Sequence, residues 1–252
     1  MEDCKEVTTP IATNCLMDAD EVGQPVDSTK YRWLIRCLLY LTTSRPYIQF
    51  RVCLCARFQA NPKESHFKAT KRILKYLKGT TNFGLRYPCD SNITLSGFSD
   101  SDYAGCKLDR KSTSGTCDLL GSSLISSNSN KQACVALSTA KAEYIIAGHG
   151  CAQIIWLKHK LLNYGVRLSK VPLYCDNTSD INLTKNLILD SKTNHMKIRH
   201  HFIRDHVQKG DYEIQFVKTE NQLADLFTKP LARDRFNKLR TELGILDIKN
   251  VV

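Results

Sequence analysis

The 252-residue sequence contains no apolar run of the roughly 18 residues that a membrane-spanning helix requires. Its first residues, MEDCKEVTTPIATNC, lack the basic and then apolar pattern of a secretory signal. These two absences predict an intracellular protein with no membrane partner. They do not distinguish a cytoplasmic particle from the nucleus as its location.

Acidic residues are in deficit, because 25 Asp and Glu stand against 36 Lys and Arg, which leaves a net charge of +11. Such an excess suits a polyanionic partner, although charge alone does not distinguish nucleic acid from an anionic membrane surface. Apolar residues make up 42% and charged residues 24% of the chain, as in ordinary globular proteins. The length suggests one large domain or two small ones.

The eleven cysteines lack the pattern of a structural zinc module, since no second pair with zinc-ribbon spacing accompanies the C-x-C of Cys53 and Cys55. Without a secretory signal, a disulfide framework and any disulfide partner are not expected. Small buried apolar side chains are the favoured interpretation of these cysteines, with structural zinc as the alternative.

The first third of the chain shows helical periodicity after a polar start. Residues 1–28 predict an extended lead-in, and residues 29–88 predict a small helical segment. The expected inward face of the first helix consists of Trp33, Leu34, Cys37, Leu38 and Leu41. A later helix carries a basic stripe, which either faces solvent or contacts nucleic acid. The stripe consists of Lys68, Lys71, Arg72, Lys75 and Lys78.

The pattern changes after a stretch rich in turn formers, GTTNFGLRYPCDSN, which marks a candidate domain joint. Residues 92–230 contain five predicted strands, a long helix at about 138–164, and shorter helices in SDINLTKN, HMKIRHHFIRDHVQKG and TENQLADLFTK. This order predicts an α/β fold with one five-stranded mixed sheet and flanking helices. Residues 231–252 predict a C-terminal helix and tail.

Four carboxylates stand at suggestive places in these elements. Asp100 ends the first strand, Asp176 ends the fourth, and Glu143 and Asp225 lie on predicted helices. A single acid at a strand end more often starts a turn. Hydrolysis of a phosphodiester by two Mg²⁺ ions, roughly 4 Å apart, requires several such oxygen ligands at one place. The four acids meet if the first and fourth strands are neighbours and both helices pack over them.

The motifs resemble the ribonuclease H region of copia-type LTR retrotransposon polyproteins. The matching stretches are GFSDSDYAGCKLDRKSTSGTC, KQACVALSTAKAEYIIAG, YCDNTSDINLTKN, HMKIRHHFIRDHVQKG and QLADLFTKPL. The resemblance implies a ribonuclease H-like fold, and it implies that Asp100, Glu143, Asp176 and Asp225 are catalytic ligands of two Mg²⁺ ions, for which Mn²⁺ substitutes. Asp102 is then expected in the turn or behind the ligands.

The activity that this family implies is cleavage of the RNA strand of an RNA–DNA hybrid, as part of a reverse transcriptase polyprotein. Such a hybrid is recognised through backbone charge and 2′-hydroxyl groups. The expected nucleic-acid contacts are Lys107, Arg110, Lys111, Ser112, Thr113, Ser114, Lys131 and Asn177. Ordinary turn chemistry is the alternative for the three hydroxyl residues.

The helical segment 29–88 resembles the tail of the reverse transcriptase in the same polyproteins. A Y-x-D-D motif or equivalent aspartate pair is missing before position 90, so the polymerase core is expected to be absent and no polymerase activity is predicted. The remainder of the reverse transcriptase polyprotein is therefore an expected partner.

Some positions depart from the usual family motifs. Lys141 stands where Glu is usual, and it removes a capping box with Ser138; Ser127 stands where Trp is usual. These changes keep open a catalytically silent, nucleic-acid-binding relic with the same fold. An integrase-type recombinase is a third interpretation. It is disfavoured because the chain has no early His/Cys zinc module and carries Asp225 where such an enzyme needs a late Glu.

Overall fold

The computed structural model describes residues 4–13, 17–89, 92–177 and 194–250. A five-stranded sheet consists of β2 (Leu95–Asp102), β3 (Thr113–Leu120), β4 (Ser123–Lys131), β5 (Val171–Cys175) and β6 (Tyr212–Phe216). Its order is β4-β3-β2-β5-β6, with β2–β3 and β3–β4 antiparallel and β2–β5 and β5–β6 parallel. The predicted α/β fold with a mixed five-stranded sheet is confirmed.

One face of the sheet packs against α4 (Thr139–Asn163) and α5 (Asn194–Gln208). Ser138 caps α4, because its hydroxyl accepts a hydrogen bond from the Lys141 amide at 3.2 Å. The apolar residues of this face, including Cys151, Ile154 and Leu173, form one buried cluster. The helix predicted in SDINLTKN lies outside the described residues.

The opposite face packs against helices from both ends of the chain. These are α1 (Ser28–Leu41), α2 (Gln49–Ala56), α3 (Glu64–Lys78) and α6 (Arg233–Glu242). A continuous apolar core includes Ile35 of α1, Cys117 of β3 and Phe236 of α6. The predicted domain boundaries stay a prediction, but residues on both sides of the candidate joint share this core.

The buried face of α1 overlaps the predicted one, since Leu38 is buried and Leu34 and Leu41 pack against the core. Tyr31, Ile35 and Leu38 are buried, whereas Trp33 is 66% exposed. The inward stripe therefore follows i, i+4, i+7 spacing from Tyr31. The periodicity was sufficient to predict a helix, but the contacts of the other helices decide which apolar stripe faces inward.

Two short strands outside the five-stranded sheet pair with each other. β1 (Phe83–Leu85) pairs antiparallel with β7 (Ile245–Asp247), although neither was predicted as a strand. The lead-in also packs, because Arg72 and Lys78 of α3 donate to the Thr9 and Cys4 carbonyl oxygens at 3.2 Å each. Part of the predicted basic stripe therefore holds the lead-in.

The segment TENQLADLFTK forms two short 3₁₀ helices, Thr219–Asn221 and Leu223–Phe227, where one helix was predicted. Gln222 separates them in an extended conformation. Its side chain accepts a hydrogen bond from the Ala224 amide at 3.2 Å and donates to the Ser99 carbonyl oxygen on β2 at 3.0 Å. This tertiary anchor interrupts the helix, so the prediction of a single helix here is wrong.

Within the described ranges, no helix is both long and apolar enough to cross a membrane. No disulfide bond joins any of the cysteines at described positions.

Candidate metal centre

Three of the four predicted carboxylates converge at one edge of the sheet. Asp100, Asp176 and Asp225 each offer an oxygen, and these oxygens all lie within 4.8 Å of one another. The parallel pairing of β2 with β5 brings the carboxyl ends of both strands to the same edge, which places Asp100 beside Asp176. The second 3₁₀ helix brings Asp225 over β2. The condition that the first and fourth predicted strands are neighbours is therefore met.

Asp100 is the innermost member, with 2% of its surface exposed. The Thr228 hydroxyl donates a hydrogen bond to Asp100 Oδ2. The Lys229 ammonium lies 3.4 Å from Asp100 Oδ2 and 2.8 Å from Asp225 Oδ1. Two side chains that follow Asp225 in sequence therefore hold a strand more than a hundred residues away.

Asp225 and Asp176 have further partners in the C-terminal segment. The Arg235 guanidinium of α6 pairs with Asp225 Oδ2, opposite the Lys229 contact. The Thr219 hydroxyl donates to Asp176 Oδ2 at 3.2 Å. Asp225 is thus a buried carboxylate placed between two cations, an arrangement that offsets the cost of burying its charge.

The cluster strongly perturbs the acidity of Asp100. Burial raises the pKa of Asp100 to about 7, with Lys229 lowering it and the Asp225 charge raising it. Burial by itself lowers the pKa of Lys229, but the charges of Asp100, Asp225 and Asp176 raise it above its ordinary value. Burial likewise raises the pKa of Asp102. Asp102 is the last residue of β2, just before the turn, and its carbonyl oxygen accepts from the Gly105 amide at 3.4 Å.

Glu143 is not a member of the three-acid cluster. Its carboxylate oxygen Oε1 accepts a hydrogen bond from the Ser101 amide at 3.0 Å, and the side chain is buried. Side chains alternate along β2, so Ser101 faces α4 whereas Asp100 faces the C-terminal segment. Glu143 therefore approaches the centre from the other face of the sheet, and the structure does not bring it into the three-acid cluster.

The predicted nucleic-acid contacts divide into exposed and buried residues. Lys107, Arg110 and Lys131 are exposed, and Lys111 and Asn177 are half-buried. Asp109 pairs with Lys131 at 2.8 Å and with Lys111 at 3.9 Å.

The three hydroxyl residues Ser112, Thr113 and Ser114 are all buried. Ser112 accepts from the Ala104 amide, Thr113 from Arg57 at 2.9 Å, and Ser114 from Gln132 at 2.8 Å. All three hydroxyls accept hydrogen bonds inside the fold, and their contact with phosphates stays a prediction.

Several residues around the centre had no role in the sequence interpretation. Thr228 and Lys229 stand inside the motif QLADLFTKPL, yet spacing gives no sign that they reach Asp100. Arg51 of α2 is buried and donates to the Lys229 carbonyl oxygen at 3.2 Å. An isolated arginine in a helix carries no recognisable signal for such a contact.

The donors of this centre fit a divalent metal. Carboxylate oxygens are the ligands that Mg²⁺ and Mn²⁺ prefer, and three of them converge at a partly buried place. The fold and the centre together define an α/β protein with a carboxylate cluster at the carboxyl ends of neighbouring parallel strands.

Comparison with known proteins identifies the family. The retrovirus-related Pol polyprotein from transposon RE1 of Arabidopsis thaliana is 37% identical over 242 residues, which cover 96% of this chain and 16% of that protein. The corresponding polyprotein from transposon RE2 is 34% identical over 245 residues, covering 97% of this chain and 17% of that protein. The chain belongs to the family of retrovirus-related Pol polyproteins from transposons, and it spans about a sixth of the length of these relatives.

Among solved structures, LC11-RNase H1 in complex with an RNA/DNA hybrid gives a TM-score of 0.41 at 10% sequence identity. The match covers 54% of this chain and 94% of that chain. A scan for matching family models finds none.

Proposed function

We propose that this chain acts as a metal-dependent ribonuclease H of a copia-type retrotransposon, cleaving the RNA strand of RNA–DNA hybrids internally. The observation that carries the proposal is the convergence of Asp100, Asp176 and Asp225. Membership of the transposon Pol family supports it. No polymerase activity is proposed for the chain.

In this proposal Asp100, Asp176 and Asp225 hold divalent metal, and Glu143 completes the ligand set from the α4 side. Two Mg²⁺ or Mn²⁺ ions supply activation of the attacking water and stabilisation of the leaving oxygen when bound. Thr228 keeps Asp100 oriented through its hydroxyl. Gln222 holds the turn that carries Asp225 against β2.

Lys229 and Arg235 balance the negative charge of the cluster. Both cations contact Asp225, and each is about one third exposed, so their charges also face the solvent side of the centre. A polyanionic substrate approaching three carboxylates meets less repulsion where two cations stand beside them. This pairing supports a site that handles phosphodiesters.

The proposed partners are an RNA–DNA hybrid and the remainder of the reverse transcriptase polyprotein. The exposed Lys107, Arg110 and Lys131 near the β2–β3 turn, together with Asn177 after β5, offer contacts to its backbone. The excess of positive charge, +11, agrees with a phosphate-rich partner.

The experiment is cleavage of a doubly labelled RNA–DNA hybrid by the purified chain with Mg²⁺ or Mn²⁺. We expect cuts in the RNA strand alone. Loss of a residue that only hydrogen-bonds to a metal ligand reduces activity by roughly 10- to 100-fold. We expect Asp176→Asn, which changes a proposed ligand itself, to reduce the cleavage rate by more than that. Asp118→Asn is the control, because Asp118 is a buried aspartate of the same sheet that lies outside the cluster. Equal loss in both variants contradicts the assignment.

A silent, hybrid-binding relic is the second candidate. The observation that favours it is the position of Glu143, whose carboxylate is bonded to the Ser101 amide rather than placed among the other acids. Lys141 two residues earlier also brings a cation to the positive end of α4. Hybrid binding without cleavage in either metal would select this candidate.

A further inference from the structure

A long groove lies between the flank of α4 and the outer half of the sheet. Its main cavity has a volume of about 880 Å³. The edge strand β4 and its neighbour β3 form the floor, and His149, Gln153 and Trp156 of α4 stand along one wall.

The floor of the groove is unusually polar for a sheet face beside a helix. Ser114 pairs with Asn130, and Thr116 pairs with Asn128, so these four side chains point to the same face. Ser114 and Thr116 are buried, whereas Asn128 is half-buried and Asn130 is exposed, so the two amide groups supply the accessible donors and acceptors of the floor. Such a surface suits a ligand with repeated polar groups better than an apolar helix.

One end of the groove is tied to the strand that carries Asp100. The Gln132 side-chain amide donates to Ser114 Oγ at 2.8 Å, to the Ala142 carbonyl oxygen at 3.0 Å and to Ser101 Oγ at 3.4 Å. Ser101 follows Asp100, and Ala142 precedes Glu143. A ligand lying in the groove therefore reaches the end of β2 where Ser101 and Glu143 meet, next in sequence to Asp100 of the candidate metal centre.

Trp156 stands at the other end, with 53% of its surface exposed. The Lys160 ammonium lies 5.4 Å from the Trp156 ring centroid. A second cavity of about 440 Å³ begins here, shares Ser126, Ser127, Gln153 and Trp156 with the first, and extends to Tyr87. An exposed aromatic ring next to a cation therefore stands where the two cavities meet.

The charge of the groove also favours an anionic ligand. Among the described residues that line the two cavities there is no aspartate or glutamate, whereas Lys131 lines the first. Lys131 shares its charge with Asp109 at 2.8 Å, so hydrogen bonds and stacking carry more of the expected affinity than charge. Aromatic stacking of bases beside a cation is the usual means of binding a single strand without sequence preference.

We propose that this groove binds a single strand of nucleic acid that continues from the metal centre, with one base stacked on Trp156. From Ala142 to Trp156 the wall formed by α4 is about 21 Å long, at about 1.5 Å per residue. At about 3.4 Å per stacked nucleotide, this length takes roughly six nucleotides. The inference rests on the proposed function, since the strand belongs to the substrate of that site.

The first test uses tryptophan fluorescence, because the sequence contains two tryptophans, Trp33 and Trp156. Trp33→Phe leaves Trp156 as the sole reporter, and we expect a ten-nucleotide RNA or DNA strand to quench its emission. Trp156→Phe leaves Trp33, on the exposed side of α1, and we expect no quenching. An unquenched Trp156, with the strand bound or not, overturns the proposal.

Affinity gives a second readout of the same contact. We expect Trp156→Ala to weaken binding of the ten-nucleotide strand by about 5- to 100-fold in fluorescence anisotropy. Unchanged affinity in this variant, with its fold verified by circular dichroism, contradicts stacking on Trp156.

Cysteine protection locates the strand independently of tryptophan. Cys134 lines the groove and is exposed, and Cys89 is exposed but does not line it. We expect the strand to slow maleimide modification of Cys134 and to leave Cys89 unaffected. Equal modification rates of Cys134 with and without the strand overturn the proposal. Protection of Cys134 by higher protein concentration alone also overturns it, because a second copy of the chain would then occupy the groove.

Asp176→Asn separates this inference from the proposed function. Suppose that the wild-type chain cleaves no hybrid, but the strand still quenches Trp156 in both the wild-type chain and Asp176→Asn. The ribonuclease assignment is then wrong, and strand binding in the groove is supported. If the wild-type chain cleaves the hybrid while Trp156 and Cys134 show no response to the strand, the groove fails and the ribonuclease assignment stands.

Discussion

Asp100 and Asp118 lie on neighbouring strands, and both are almost completely buried. Burial raises the pKa of each to about 7. Their surroundings differ, because Asp100 has two further acids, a hydroxyl donor and a cation around it. Asp118 has a hydrogen bond from Ser126, and its Oδ2 has no hydrogen-bond partner among the described residues.

The comparison shows that a perturbed pKa alone does not mark a functional site. The Asp118 side chain has room because the residue that faces it on β2 is Gly97. A Cβ atom at Gly97 would lie 3.1 Å from Asp118 Oδ1 and 2.9 Å from the Ile154 side chain, so a larger residue would crowd both. This is a packing arrangement around one acid. At Asp100, by contrast, acids and cations from separate parts of the chain converge, and this convergence is what a metal requires.

Among the tests of the difference between Asp100 and Asp118, the largest effect on the free energy of unfolding is expected from Asp118→Asn. Because the pKa of Asp118 is raised from 3.8 to about 7, the folded chain binds an extra proton between these values, so stability falls as pH rises through that window. Relative to wild type, we expect the free energy of unfolding of the variant to increase by about 4 kcal/mol between pH 4 and pH 8. Urea unfolding at both pH values measures it, and a difference independent of pH contradicts the argument.

The next effect is expected from Lys229→Met, which removes the cation shared by Asp100 and Asp225. Loss of one partner of a buried ion pair leaves uncompensated charge. Since Lys229 is about one third exposed, we expect destabilisation of about 2 kcal/mol at pH 8 in chelator, less than for a fully buried pair.

Added Mn²⁺ should then stabilise this variant more than wild type, because the metal meets the same carboxylates without the competing ammonium. Lys238→Met is the control, since its pair with Glu242 on α6 is at the surface. Equal stability of both lysine variants without metal would show that Lys229 does not balance the cluster.

A smaller and matched pair of changes compares the hydroxyl donors of the two aspartates. Thr228→Val removes the hydrogen bond to Asp100, and Ser126→Ala removes the one to Asp118. Each loss is expected to cost about 1 kcal/mol at pH 8, and each should raise the pKa of its aspartate further. Titration of the carboxyl ¹³C signals by NMR measures the pKa of both aspartates. An unchanged pKa of Asp118 in Ser126→Ala would show that the hydrogen bond from Ser126 is unimportant.

The smallest effect is expected at the surface. Lys131 holds the pKa of Asp109 down to about 2, through a hydrogen bond, yet the carboxyl is in solvent. Because exposed ion pairs contribute little, Asp109→Asn should leave the melting temperature unchanged. A clear drop would mean that the β2–β3 turn depends on this pair.

Local patterns were sufficient to predict much of the sheet and part of the site. The strands and α4 follow from periodicity, and Ser138 is a recognisable cap. Asp100 and Asp176 were identified because each follows an apolar strand. The role of Thr228 and Lys229 was not predictable, because their partner Asp100 lies 128 and 129 residues away in sequence.

The position of Glu143 shows the limit of such reasoning most clearly. Its place on α4 was predicted correctly, but its meeting with the other acids also depends on which face of β2 each residue occupies. Strand register and helix docking decide that, and they place Ser101 rather than Asp100 opposite Glu143. Similarly, contacts with the other helices select Tyr31 rather than Trp33 as the inward residue of α1.

By itself, the sequence determined the five strands of the main sheet, the long helix α4, the excess of positive charge and the acids at the strand ends, because these depend on residues close together in the chain. Only the tertiary structure decided that three of the four acids converge, that Lys229 and Arg235 neutralise them, and that a polar groove runs from Gln132 to Trp156. Each of these depends on long-range packing, which brings together side chains that no local pattern connects.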